Sequence, residues 1–318
     1  MNFYQKWQLF TLCGIILPMI NHATRAKIAE LQSRYVELEK TYRNGLTEVA
    51  LSEIPEMVYN SNAIENSTLS LVDTEAILMR DTIRKDASVR EVYEAKNLAK
   101  VIQIVMDKLD QKLSIEYILE LHKVLLTDIN DRVAGRFRSG DEWVRVGGHI
   151  GANPDFTNGL VGDLVRNYNV DTESYFLDKI AHFHAEFETI HPFCDGNGRI
   201  GRVLINQQLS HLHYPPIIIR NKSKYEKYYP LFDEYSASTR YDGFAELFAK
   251  LLMESLHKRI AILTSRKLIP LSDWATKNNI QPNVALNRAA RQTIPAFRTS
   301  EKWVIDADYV MVQSDQQL

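Results

Sequence analysis

Residues 191–202 read HPFCDGNGRIGR and stand between two stretches of helical spacing. Gly196, Gly198 and Gly201 match the pattern G-x-G-x-x-G. A dinucleotide-binding turn needs a strand before its first glycine, because that turn leaves a parallel sheet. Here the preceding residues, FHAEFETIHPF, have the spacing of a helix end, and no β-α-β alternation surrounds them. A P-loop needs Lys-Ser or Lys-Thr after the glycines, and neither follows. The segment is therefore a glycine turn joining two helices.

Such a turn carries chemistry of its own. Gly196 and Gly198 allow positive φ and close backbone approach to a ligand. Helical spacing restarts near Arg199, with Ile200, Val203, Leu204 and Gln207 on it. A glycine turn feeding a helix start offers free N–H groups and the positive dipole end, which suits an anion. Arg199 and Arg202, three apart, share one face of the first turn, where two cations call for a neutralising anion. Asp195 is a carboxylate of the kind that holds Mg²⁺ together with phosphates. His191 has a pKa suited to general-base work. Together they describe a triphosphate site with a proton acceptor. The plainer alternative is a His-Pro helix stop followed by two surface ion-pair partners.

The rest of the chain predicts a mainly α fold. Residues 24–42 space Ile28, Leu31, Tyr35, Leu38 and Tyr42 as an amphipathic helix, and a second run covers about 47–62. Ser88 and Glu91 form a capping-box pair opening a helix to about Leu109, and SIEYILELHKVLLTDI follows at once. Residues 173–190 put Phe176, Leu177, Ile180, Phe183, Phe187 and Ile190 on one face. Further helical spacing spans about 199–212, 222–236 and 241–263. The chief strand-like stretch before residue 265 is EWVRVGGHI, 142–150, read as an exposed hairpin. A net charge of −2 gives no global sign of nucleic acid or membrane. Cys13 and Cys194 are too few and too far apart for a disulfide framework or a cysteine-rich zinc site, and they suit a reducing cytoplasm. The apolar run 7–20 is too short to span a bilayer and holds Gly14 and Pro18. It reads as a packed arm or as residues before a true start at Met19, with a secretory signal a third option.

With these residues in view, His191-Pro-Phe-x-Asp195-Gly-Asn-Gly-Arg199-x-x-Arg202 resembles the signature of Fic-domain proteins. The upstream HAEFETI is similar to that family's helix leading into the motif. The likeness covers about 45–260. It implies a helical bundle with a β-hairpin flap that moves AMP from ATP, with Mg²⁺, onto a Ser, Thr or Tyr hydroxyl of a target protein. His191 would then take the hydroxyl proton, and Asp195 would hold Mg²⁺ against the α- and β-phosphates. Asn197 and the N–H groups of the loop (Gly196, Gly198, Ile200 and Gly201 included) would bind the nucleotide, Asn197 at the α-phosphate. Arg199 and Arg202 would hold the β- and γ-phosphates. The 142–150 stretch resembles the family flap, with Val144, Arg145, Val146, Gly147 and Gly148 pairing with the target backbone. Tyr228 and Tyr229 fall where related proteins place tyrosines near adenine, though aromatics at helical spacing also suit a core. Ser61-x-x-x-Glu65-Asn66 resembles the inhibitory motif of the class whose N-terminal helix blocks its own site. Glu65 would occupy the γ-phosphate place on Arg202, and it could also position a water that removes AMP from modified targets.

Residues 266–318 read as a separate piece: Ser272 capping a helix to about Lys277, a turn at Asn278–Asn279, and a helix from Pro282 to about Arg291. The strands IPAFR and KWVID follow, joined by Thr299-Ser300-Glu301. This order resembles winged helix-turn-helix DNA-binding domains. Between 266 and 302 it carries seven basic residues (Arg266, Lys267, Lys277, Arg288, Arg291, Arg298 and Lys302) against Asp273 and Glu301. DNA, a homodimer partner or another protein are the occupants such a module takes. The expected division is an arm and helix over 1–44, a Fic domain over 45–265 and this module. The expected setting is cytoplasmic, with no membrane partner. Two other readings remain: a DNA-binding regulator whose Fic domain only senses nucleotide, and a metal site built from His182, His184, His191 and Asp195.

Overall fold

The computed structural model describes residues 19–311 except 85, 148 and 301. The N-terminal expectation falls largely on residues outside these. Of that stretch, Ile20 is buried, and the Met19 N–H donates to Asp178.

Helix α1 runs His22–Ile64. The two expected helices are thus one, because only Tyr42 leaves helical geometry (φ −123°, ψ 34°) and the chain kinks there without reversing. Then come α2 (Leu71–Arg80), α3 (Val89–Asp107) and α4 (Ile115–Leu126). The Ser88/Glu91 capping box is formed, and Ser70/Asp73 makes a second one before α2. Strands β1 (Arg145–Val146) and β2 (His149–Ile150) pair antiparallel, a shorter hairpin than 142–150 implies. Next are α5 (Thr157–Val170), α6 (Phe176–Ile190), α7 (Asn197–His211), α8 (Tyr229–Ser238) and α9 (Asp242–Thr264). A widened helical turn, Lys224–Tyr228, precedes α8. Helices α2 and α5 go beyond what the apolar spacing indicates.

Two cores flank the α6–α7 pair. Phe183, Phe187, Phe193 and Ile200 join one core with α3, α4 and the second half of α1. Leu177, Ile180, Ile205 and Leu209 join the other with the first half of α1 and with α9. Burying each such side chain stabilises by roughly 1.5–3 kcal/mol. The turn between α6 and α7 is therefore anchored from both sides.

The C-terminal piece has its own core of Leu271, Trp274, Ala285, Ala289 and Ile305. It contains β3 (Leu268–Pro270), α10 (Leu271–Lys277), α11 (Pro282–Arg291), β4 (Phe297–Thr299) and β5 (Lys302–Asp306). The sheet order is β3-β5-β4, all antiparallel. Ser272 does not cap α10. Pro270 holds that position with no side-chain cap, and the Ser272 hydroxyl turns to Asp273. Arg298 is not free for a polyanion either, since it is bound to Glu254 of α9.

Candidate active site

Helix α6 ends at His191, whose φ of 51° turns the chain into Pro192. Proline adds no donor, so the stop is firm. The loop beyond is closed by buried polar groups. Asn197, 2% exposed, accepts from the Phe193 N–H at 2.8 Å and donates to the Phe193 carbonyl at 2.8 Å. The Asn197 amide thus braces the loop that would hold the α-phosphate.

Two further residues hold the loop, and motif reading misses both. Arg138, 1% exposed, donates to the His191 carbonyl at 2.7 Å, the Ile190 carbonyl at 3.0 Å and the Ala152 carbonyl. His122 stacks on Phe193 at 3.6 Å. Its Nδ1 accepts from the Gly135 N–H at 3.0 Å, so Nε2 carries the proton and donates to the Asp195 carbonyl at 3.0 Å. Burial lowers the His122 pKa to about 4, which keeps the ring neutral. Their sequence signal is slight: a His inside an apolar helix and an Arg in a loop.

Gly196, at φ 83°, begins α7, and no side chain caps that helix. Its first N–H groups are left for an acceptor. The two arginines then part company. Arg199, 3% exposed, pairs with Glu94 at 3.1 Å and Asp195 at 2.8 Å. Asp195 also meets Arg90 at 2.5 Å. Burial pushes the Asp195 carboxyl up, but Arg199 and Arg90 outweigh it and hold it below the usual range. Arg202 faces the end of α1. It donates to the Ser61 hydroxyl at 2.9 Å, the Ser61 carbonyl at 2.9 Å and Glu65 Oε1 at 2.8 Å. Burial opposes the ionised Glu65, and Arg202 more than compensates, so the carboxyl lies low.

Gly198 makes this contact possible, since a Cβ there would stand 2.3 Å from Glu65 Oε1. Asn66 behaves differently from Ser61. It lies at φ 68° and accepts from Lys224 Nζ at 3.0 Å, away from Arg202. Lys224 also donates to the carbonyls of Ala63 at 3.0 Å and Ile64 at 2.9 Å, capping α1. Tyr229 donates its hydroxyl to the Ile64 carbonyl at 2.9 Å and borders the site. Tyr228 lies behind Arg202: it is 2% exposed, with its hydroxyl 2.7 Å from His184 Nε2 and interacting with the Arg202 guanidinium, so it packs in the core beneath the site. Ile200 is likewise fully buried, and Gly201 has Glu188 against it, where a Cβ would lie 2.1 Å from Oε1. These two pack the helices together.

His191 Nδ1 lies 3.2 Å from the Glu188 carbonyl, which accepts its proton and leaves Nε2 as the basic nitrogen. The hairpin base adjoins this ring. The Gly151 N–H donates to the Val144 carbonyl at 3.1 Å, and a Cβ on Gly151 would be 3.2 Å from the His191 Cβ. Arg145 pairs with Ile150 and Val146 with His149, with Gly147 turning at φ 53°; Gly148 lies outside the described residues. The histidine metal set is not assembled. His184 serves Tyr228, and no cluster of three His, Cys, Asp or Glu among the described residues could hold a metal.

Residues 112–209, which span the 145–150 hairpin, the loop and most of α7, match the Fic/DOC family. This chain carries a Fic domain. It is 33% identical over 183 residues to the protein adenylyltransferase Fic of Drosophila persimilis, covering 56% of this chain and 36% of the relative. The Nematostella vectensis protein of that name is 30% identical over 234 residues, 69% of this chain and 51% of the relative. The chain thus spans between a third and half of these relatives' length. Among solved structures it is similar to a Fic domain containing signaling protein from Bacteroides thetaiotaomicron. That match has TM-score 0.67 and 25% identity, covering 74% of this chain and 96% of that one. It is also similar to Fic-1 of C. elegans, with TM-score 0.64 and 25% identity over 74% and 71% of the two chains. No helix among the described residues is long and apolar enough to cross a membrane.

Proposed function

We propose that this protein transfers AMP from ATP to a Ser, Thr or Tyr hydroxyl of a target protein, and that the end of α1 inhibits it. The Fic domain and relatives named protein adenylyltransferase support the reaction. The observation that carries the inhibition is the Glu65 carboxylate seated on Arg202 beside the open start of α7. A carboxylate there stands where a terminal phosphate oxygen would sit.

In the proposed reaction the target backbone pairs with the 145–150 hairpin, which sets its hydroxyl beside His191. Nε2 takes the hydroxyl proton as the oxygen attacks the α-phosphorus. The bond to the bridging oxygen breaks, and pyrophosphate leaves. Loop N–H groups and the two arginines hold the charge that develops, so catalysis is positioning and electrostatics. Asp195 is the carboxylate that would hold Mg²⁺, which neutralises phosphate charge; the exposed Arg90 must swing off it first. Tyr229 lines the nucleotide side. We further propose the boundaries 45–265 for the Fic domain and 266–318 for a winged module.

The test is labelled ATP and purified protein. Glu65→Gly is expected to take up AMP several-fold faster than the wild type, and adding His191→Ala is expected to abolish uptake. No incorporation by Glu65→Gly would sink the transferase reading. Equal incorporation by wild type and Glu65→Gly would sink the inhibition.

A further inference from the structure

The C-terminal module meets α9 at Gln292, whose Oε1 lies 2.8 Å from His257 Nδ1, and along β4, which carries Arg298. Its backbone N–H and Nε donate to Glu254 Oε1 at 3.1 and 2.9 Å, and Nη2 donates to Oε2 at 2.6 Å. The guanidinium lies 4.6 Å over the Trp303 ring, which fixes its plane. Glu254 Oε1 also faces Arg220 Nη2 at 3.4 Å, and Arg220 Nη1 donates to Glu56 Oε1. Glu56 is on α1, little more than two turns before Glu65. Arg220 opens the segment that holds the end of α1. Its neighbour Asn221 donates its N–H to Asn60 at 3.0 Å, and Lys224 caps the helix.

Glu56, Arg220 and Glu254 are 8%, 8% and 7% exposed. Charges buried this far must find partners within the protein, so a change of partner at one end is answered at the next. Among the described residues, Glu254 is shared by Arg298 and Arg220, and Arg220 reaches both Glu56 and Glu254. Remove Arg298 and Glu254 is left with Arg220 alone, drawing it away from Glu56.

We propose that Arg298 is a positioning residue for the inhibitory helix. By occupying Glu254 it leaves Arg220 on Glu56, so the seating of the C-terminal module sets how firmly the end of α1 rests on Arg202. The module is then the input of a brake, and any partner that lifts β4 from Glu254 releases the Fic site. This rests on the reading of Glu65 as inhibitor.

The test uses the full chain and two readouts: amide hydrogen exchange over residues 58–66, and AMP uptake. Arg298→Ala is expected to raise both about fivefold, a typical coupling between sites. Arg298→Lys, which keeps the charge, is expected to give a smaller rise and serves if the alanine variant folds poorly. Glu254→Gln leaves Arg220 to Glu56, so Glu254→Gln with Arg298→Ala is expected to return both readouts to wild-type values. A module that merely loosens predicts a double variant at least as fast as Arg298→Ala, and that result overturns the proposal. So does unchanged exchange at 58–66 in Arg298→Ala. Should Glu65→Gly take up no AMP, the transferase reading fails, while exchange still decides the coupling.

Discussion

The loop at 191–198 and the helix end at 61–66 meet on the first turn of α7, and they are held in opposite ways. The loop is closed by Asn197, His122 and Arg138, which are 2%, 0% and 1% exposed and bond to backbone groups. The helix end is held by charge: Glu65 on Arg202, with Lys224 at the carbonyls, and the Glu65 side chain is 41% exposed. A buried amide bonded to backbone has no substitute, and removing it orphans its partners. A part-exposed carboxylate can be exchanged for another anion, because water and salt already compete for its partner. One region is built to stay and the other to be displaced.

The strongest way to break that contrast is Asn197→Ala. It leaves the Phe193 N–H and carbonyl without their partner, at about 1–3 kcal/mol of stability for each buried group. Because the loop then loses the geometry that aligns a phosphate, AMP transfer in the Glu65→Gly background should fall about 100-fold. Initial rates and thermal melts check it. A stable variant with an unchanged rate would mean the loop is not what Asn197 holds.

A gentler probe acts on the other region. Lys224→Met removes three donors from the end of α1 but touches no residue of the loop. AMP uptake by the otherwise wild-type chain should rise about threefold, an effect of under 1 kcal/mol and within the net worth of one hydrogen bond from the buried Lys224 ammonium. Adding Glu65→Gly should erase the difference, since there is then no carboxylate left to position. An additive gain in the double variant would show that Lys224 acts elsewhere.

The two regions also differ in how far the sequence reveals them. The loop was legible because its glycines, arginines, aspartate and histidine lie within one short stretch. Glu65 was legible only through the family resemblance, since its contact to Arg202 joins residues far apart in the chain. The bonds from Asn197 to Phe193 are not legible in the motif, which shows which residues are present and not which are bonded to each other. Tyr228 was ambiguous for the same reason: helical spacing cannot tell a ring facing a ligand from one facing His184. Arg138 and His122 carry no motif, and their roles appear only once the carbonyls they serve are brought together. Helix α2 was in principle legible, since its Ser70/Asp73 capping box is formed much as the Ser88/Glu91 box is.

The finest test lies where the regions touch. Glu188 is 7% exposed, its Oε1 has no hydrogen-bond partner among the described residues, and its Oε2 is 3.8 Å from His191 Nδ1. Burial pushes its carboxyl up to about 8; Arg202 pulls it down and Glu65 pushes it up. The folded protein therefore keeps a proton that the unfolded chain has lost above its ordinary carboxylate value, and stability should fall as pH rises from about 4.5 to 8 and then level off. Glu188→Gln removes that titration. The variant should melt close to the wild type near pH 5 and several degrees above it at pH 8.5. In Glu65→Gly the wild-type fall with pH should shrink, because one of the two influences raising the carboxyl has gone while Arg202 remains. If the fall is the same with and without Glu65, the releasable region does not reach through Arg202 to the fixed one, and the two sides of the site titrate independently.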